Sequence, residues 1–228
     1  MSLSIELDFL NQMILRMASL VEKNLVEALD AYLNYNPQKE YDEINDDIID
    51  AKERAIEEEC INIMLKERPF SRDLRRVSGI LRLVEDLERL GDHAEDIMSF
   101  SMKLKNVERV RASEIDSLAK KALNMVHNAI DSFVNKSIAL AREIIDSDDV
   151  VDLGYSNIID SLILDLKENK ISSEFAIYTT LVVKYVERIA DHAVNIAEWV
   201  IYIENGYHKD KQICWGEYGL FNLLNRGW

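Results

Sequence analysis

The heptapeptide Glu88-Arg89-Leu90-Gly91-Asp92-His93-Ala94 returns 99 residues later as Glu187-Arg188-Ile189-Ala190-Asp191-His192-Ala193. Upstream of the two copies stands a second matched pair, Asp46-Asp47-Ile48-Ile49-Asp50 and Asp148-Asp149-Val150-Val151-Asp152, at an offset of 102. Two motifs in the same order and at nearly the same offset mark an internal duplication, which restricts the chain to folds built from two copies of one unit. The three-residue difference falls in the connection between the motifs, where Lys66-Glu67-Arg68-Pro69-Phe70 is longer than its counterpart near Lys170.

What each unit is made of follows from periodicity. Apolar residues recur at helical spacing in six segments, and strand-type alternation is absent. The first segment covers about residues 4–36, carries Leu7, Leu10, Ile14, Met17, Val21, Leu25 and Leu29, and ends at Asn36-Pro37. The second covers about 39–68 and stops at Pro69, and the third runs from Ser71, a candidate N-cap, to about 106. Ser113 opens a fourth that reaches about 147, followed by a fifth over 148–170 and a sixth over 172–205. Only 7 Gly and 2 Pro interrupt 228 residues, so the helices are long. Helices of about 30 residues that are too polar to cross a membrane must bury a stripe against one another. The expected fold is therefore all-α, a tandem duplication of three-helix bundles with six long helices. Residues 1–106 form the first bundle, 107–205 the second, and 206–228 an aromatic tail. Glycines at 206, 216, 219 and 227 exclude a seventh long helix in that tail, while Trp215, Tyr218, Phe221 and Trp228 predict that it folds back on a bundle or docks against a second chain.

A formal charge of −15 argues against nucleic acid and anionic membrane surfaces as partners. The one basic cluster, Arg68, Arg72, Arg75 and Arg76, reads as a solvated helix start, with a docking patch for an acidic partner as the alternative. Cys60 and Cys214 form neither a disulfide framework nor a metal-type spacing, which fits a reducing compartment. No apolar run reaches the roughly 20 residues of a membrane span. The amphipathic N-terminus is unlike a signal peptide, so the expected location is cytoplasmic.

The chemistry lies in the repeated acids. Each half has Asp-x-x-x-Asp on its middle helix and Glu-x-x-x-Asp on its last, and an i, i+4 pair shares one helix face. If each helix pair is antiparallel about its turn, Asp50 lies opposite Arg89, flanked by Glu88 and Asp92. Asp152 likewise lies opposite Ile189, between Glu187 and Asp191. Clustered carboxylates repel, and hard cations take several oxygen ligands, so a metal accounts for them. A solvated acidic ridge would carry the same residues, but recurrence in both halves at one level favours the cation. On a helical wheel Glu88, Asp92 and Asp96, and in the second half Glu187, Asp191 and Asn195, lie on the flank and outer face. That predicts an open surface groove and argues against a buried di-iron centre, which needs inward Glu-x-x-His ligands. His93 and His192 fall on the opposite flank and read as partly buried inter-helix hydrogen-bonding groups. Arg89 and Arg188 read as neutralising neighbouring acids.

The stretch from Val84 to Ala94, the stretch from Val186 to Glu198, and Asp73-Leu74-Arg75 after Pro69 resemble the PhoU family of phosphate-uptake regulators. The resemblance covers residues 4–205. It implies a non-enzymatic cytoplasmic regulator of phosphate homeostasis that couples the phosphate ABC transporter ATPase to a sensor histidine kinase where one is present. A homodimer is among the assemblies it leaves open, and it implies neither nucleic-acid binding nor membrane insertion. It also implies iron, zinc, magnesium or manganese at Asp46, Asp50, Glu88 and Asp92, and at Asp148, Asp152, Glu187 and Asp191. Asp96 and Asn195, at the next position of each ridge, are expected as further metal-site residues. Three features depart from the pattern: Gly91 is matched by Ala190, Asp96 is an acid where Asn195 is an amide, and the tail lies beyond the family's usual end. The alternatives from the residues themselves are a metal-dependent enzyme of the ferritin-like type and a metal-free structural adaptor.

Overall fold

The computed structural model describes residues 3–39, 44, 47–209 and 211–212. Six helices follow one another as α1 (Leu3–Leu33), α2 (Asp47–Glu67), α3 (Arg72–Lys103), α4 (Ala112–Asn135), α5 (Ile138–Lys167) and α6 (Ser173–Asn205). A short antiparallel pair, β1 (Tyr207–His208) with β2 (Lys211–Gln212), closes the described chain. Within each repeat every helix touches the other two. The most extensive contact, however, joins α3 to α6 across the repeats, so these two form the central pair. One hydrophobic core runs through both repeats. Tyr32 of α1 donates across it to Thr179 Oγ1 of α6 at 3.0 Å. No helix among the described residues is long and apolar enough to cross a membrane.

The repeat-based architecture holds, while several helix ends differ from expectation. The fourth helix stops at Asn135 rather than near 147, and the fifth starts at Ile138 rather than at 148. Lys136 adopts the left-handed conformation there (φ 52°), and Ser137 accepts a hydrogen bond from Leu140 N at 3.2 Å as the N-cap of α5. Glycine ordinarily marks such a C-terminal residue. With lysine in its place the break carries no punctuation, and the acidic pair Asp148-Asp149 instead resembles a first turn. Ser172 caps α6 through Phe175 N at 3.1 Å. Ser71 does not cap α3: its φ is 51° and its side chain makes no cap bond. The first turn is tied instead by the backbone bonds Asp73 N to Phe70 O and Arg75 N to Ser71 O. The second helix begins at Asp47 rather than near 39: Lys39 and Ile44 are not helical, and residues 40–43 and 45–46 lie outside the described ones. Gly206, left-handed at φ 86°, ends α6, and the tail beyond Gln212 lies outside the described residues.

The basic cluster is more than a solvated helix start. Arg75 is part-buried and donates to Ile203 O at 3.0 Å and Glu204 O at 3.2 Å. Arg72 pairs with Glu204 at 3.3 Å. Last-turn carbonyls lack intrahelical donors and carry the negative end of the helix dipole. The start of α3 is thereby fastened to the end of α6.

Gly91 sets the approach of α2 to α3. A Cβ there would stand 2.7 Å from Ile49 Cδ1, and Ile49 is fully buried. The second repeat has Val151 and Ala190 at the matching positions, so one carbon has moved from one helix to the other. Gly91→Ala is expected to lower stability by about 1–2 kcal/mol, overpacking outweighing the helix propensity gained. Ile49→Val removes the obstructing atom, so the double variant should be more stable than the sum of the two losses. Urea unfolding of the three variants checks this, and strictly additive losses would rule out the close-approach account.

Candidate metal centre

In the second repeat, Asp148 and Asp152 stand one turn apart on α5 and face Asp191 on α6. One carboxylate oxygen from each lies within 4.8 Å of the others. Asp148 is half-buried, and its Oδ1 is enclosed with no hydrogen-bond partner among the described residues. Burial first, then the charges of Asp152, Asp191, Asp149 and Glu187, push the Asp148 carboxyl up to about 6. Asp191 is raised by burial and by Glu187. Glu187 sits beside them but accepts from Lys184 Nζ at 2.5 Å. Three convergent oxygens, one of them orphaned, make a donor set that fits a hard cation. With no imidazole or thiolate among them, the set suits magnesium or manganese better than zinc.

In the first repeat the same positions are neutralised by arginine. Arg89 holds Asp92 at 3.0 Å and Glu88 at 3.5 Å, and Arg54 holds Asp50 at 3.3 Å. Asp46, the counterpart of Asp148, lies outside the described residues. Among those described, the tight grouping of three ligand atoms forms in the second repeat only. Sequence reading missed Glu53, which lies three residues after Asp50. Burial, then Glu88, Glu57, Asp50 and Glu85, push its carboxyl up to about 7. Cys60 is buried and its thiol is pushed up to about 12, chiefly by burial, which leaves it inert.

Asp96 and Asn195 do not continue the acidic ridges. Both turn into the seam between α3 and α6. Asp86, buried in α3, accepts from His192 Nδ1 at 2.8 Å, Asn195 Nδ2 at 3.1 Å and Trp199 Nε1 at 3.2 Å. Ninety-nine residues on, Asp86 becomes Tyr185, whose partners are the matching His93, Asp96 and Phe100. The wheel assumed one apolar stripe per helix. In fact α3 and α6 each bury a second flank against the other, and that flank carries Asp86, His93 and the residues that meet them.

The two histidines therefore differ. His192 makes the inter-helix hydrogen bond expected of it, whereas His93 is 4% exposed with neither ring nitrogen partnered among the described residues. Tyr185 fills the place that a carboxylate takes in the other half, its ring centroid 5.0 Å from that of His93. Burial first, then His192, Arg188 and Arg89, hold the His93 imidazole down at about 3. His93 is expected to stay neutral at pH 5, where an unfolded histidine is charged. Because the unfolded chain then binds a proton that the folded chain refuses, this group removes stability as pH falls from about 6.5 toward 3. Long-range proton–nitrogen spectra at pH 5 check it, and an imidazolium pattern at His93 would contradict the burial account.

Two comparisons decide the family. The PhoU domain model matches residues 14–100 and again 115–200, one copy per repeat. The chain is also 32% identical over 210 residues to a phosphate-specific transport system accessory protein PhoU homolog of Clostridium acetobutylicum, covering 90% of this chain and 95% of that protein. The chain belongs to the PhoU family. A PhoU homolog of Pseudomonas aeruginosa is likewise 32% identical, over 88% of this chain and 84% of that one. The crystal structure of PhoU from Pseudomonas aeruginosa superposes with a TM-score of 0.82 at 28% identity, covering 90% of this chain and all of that chain. The PhoU structure from Streptococcus pneumoniae shares the fold, with a TM-score of 0.78 at 24% identity over 93% of this chain and all of that one.

The two PhoU repeats carry unequal acid clusters, and not chiefly through Asp96 against Asn195. Glu53 and Glu85 of the first repeat correspond to Tyr155 and Lys184 of the second, where the ammonium lies 5.2 Å over the tyrosine ring. Two acids in one PhoU repeat thus stand where the other has a cation–π pair. Glu85 adds to the burial and to the charges of Glu88, Glu57 and Asp50 that push the Glu53 carboxyl up.

Proposed function

We propose that this PhoU-family chain is a non-enzymatic regulator of phosphate uptake whose binding surface is charged or neutralised by a divalent cation. Asp148, Asp152 and Asp191 would hold the ion, with Glu187 alongside; a second ion among Asp50, Glu53, Glu88 and Asp92 would compete with Arg54 and Arg89 for those acids. The ion supplies positive charge where the chain has gathered negative charge. The partners are the ATPase of the phosphate ABC transporter and, where one is present, a sensor histidine kinase, both on the cytoplasmic side. The observation that carries this reading is a family match over both repeats, with curated relatives that are accessory proteins of the phosphate-specific transport system. The orphaned oxygen of Asp148 supports the cation.

The test mixes the purified chain with the transporter ATPase, with manganese or with chelator, and follows co-elution by size exclusion. Co-elution that depends on manganese and disappears in the Asp148→Asn/Asp191→Asn variant is the expected result. Co-elution that ignores both would favour a metal-free adaptor. Oxygen-dependent turnover of added ferrous iron would favour an enzyme of the ferritin-like type.

A further inference from the structure

A groove of about 600 Å³ runs between α2, α3 and the end of α6. Its walls include Ile61, Leu81, Trp199 and Tyr202. The apolar surface continues along α2, where Ile61 is 52% exposed and Leu65, one turn on, is 71% exposed. Nothing among the described residues covers it. Solvent-facing apolar side chains scattered singly are ordinary, but a groove floored by a tryptophan and a tyrosine beside a continuous apolar row calls for an occupant.

We propose that the groove is the docking site of this chain's own residues 213–228. The described chain delivers that segment to the groove. Gly206 ends α6 against Arg75, and β1 then turns back along α6 so that the His208 ring stacks on Trp199 at 3.9 Å and 11°. Strand β2 returns antiparallel, pairing Gln212 with Tyr207, so the chain leaves beside the end of α6. The groove starts at that end, at Ser78 and Tyr202, and reaches Glu85. Seven residues of helix span about 10 Å. Sixteen residues of sequence follow Gln212, and extended they reach about 50 Å, so the segment can fill the groove with length to spare. Its composition matches the walls. Trp215, Leu220, Phe221, Leu223, Leu224 and Trp228 stand in it, and Glu217 and Arg226 are its only charged residues in a chain that is 30% charged overall.

Trp199 is a reporter built into the wall. With Trp215→Phe and Trp228→Phe it becomes the sole tryptophan. This variant should be compared with the same chain ended after Gln212, which keeps the stacked hairpin. Docking predicts a red shift of Trp199 emission, a severalfold rise in acrylamide quenching and a melting point lower by several degrees on truncation. Ile61→Glu in the longer chain should reproduce these changes, and because that side chain is exposed the variant should still fold. A peptide of residues 213–228 added to the shortened chain should reverse them. Identical emission and quenching in the two lengths would overturn the proposal. So would a fall from dimer to monomer on truncation, which would seat the segment on a second copy. Insensitivity to Ile61→Glu would place it on another surface.

Discussion

With Asp148 and Asp191 both replaced by asparagine, the protein is expected to lose the thermal stabilisation that manganese or magnesium gives the unaltered chain at pH 7.5. A cation at a hundred times its dissociation constant stabilises the folded state by about 2.7 kcal/mol, and the variant should forfeit that share of it which the second repeat supplies. In chelator the order reverses. Asp148 holds its proton up to about 6 because burial and four neighbouring acids oppose its charge. Ionising it at pH 7.5 therefore costs the folded state, and after solvent screening the variant should be more stable by about 1–2 kcal/mol. The pH dependence follows from the same shift. A carboxyl whose folded value exceeds its unfolded value destabilises fully above the folded value and not at all below the unfolded one. Chelated wild-type protein should therefore lose stability as pH rises from about 4 to about 6 through this group, and the variant should lack that slope. Cation stabilisation in the wild type should fade below pH 6 as protons compete for the same oxygens. Thermal unfolding by circular dichroism at pH 5 and 7.5, with chelator and with cation, measures all of this. Undiminished cation stabilisation in the variant would place the ligands elsewhere, and a large loss in chelator would mean that these acids serve as structural hydrogen-bond acceptors.

Asp86→Ala should cost more than any surface change in the molecule, about 3–5 kcal/mol. Asp86 is buried, and its carboxylate gathers His192, Asn195 and Trp199 of α6 around itself, so its removal leaves three donors of the central helix pair without an acceptor. Asp86→Asn keeps one acceptor oxygen and should cost less. Urea unfolding in chelator separates the effect from metal binding. A loss below about 1 kcal/mol for the alanine variant would mean that water from the adjoining cleft of about 420 Å³ takes over the acceptor role.

These two sites were unequally visible in the amino-acid sequence. The acid pairs could be found because they recur, and because the antiparallel level of Asp152 with Glu187 and Asp191 depends only on the position of the turn and the helical rise. Glu53 escaped notice because it lacks a matching acid in the other half, where Tyr155 stands. Asp86 escaped because it faces a helix whose contacting residues are 106 to 113 positions away. The 99-residue offset does carry a signal, pairing Asp86 with Tyr185, but only the packing of α3 on α6 shows what each of them meets. The break at Lys136 was hidden for another reason: a lysine in the left-handed conformation leaves no mark in composition.

By itself the sequence determined the number of helices, the twofold repetition and the presence of one acid cluster per repeat. These rest on periodicity and repetition, which are local or self-referential and need no knowledge of what packs where. The tertiary structure decided which flank of α3 and α6 is shared. A helix with a wide buried arc has more than one face available, and the choice falls to the contact that buries most and satisfies its polar groups. From that choice follow the buried Asp86, the His93 ring that meets no hydrogen-bonding partner among the described residues, and the departure of Asp96 and Asn195 from the acidic ridges. The same packing made Arg75, which reads in sequence as one of several surface cations, the group that closes the end of a helix 128 residues away.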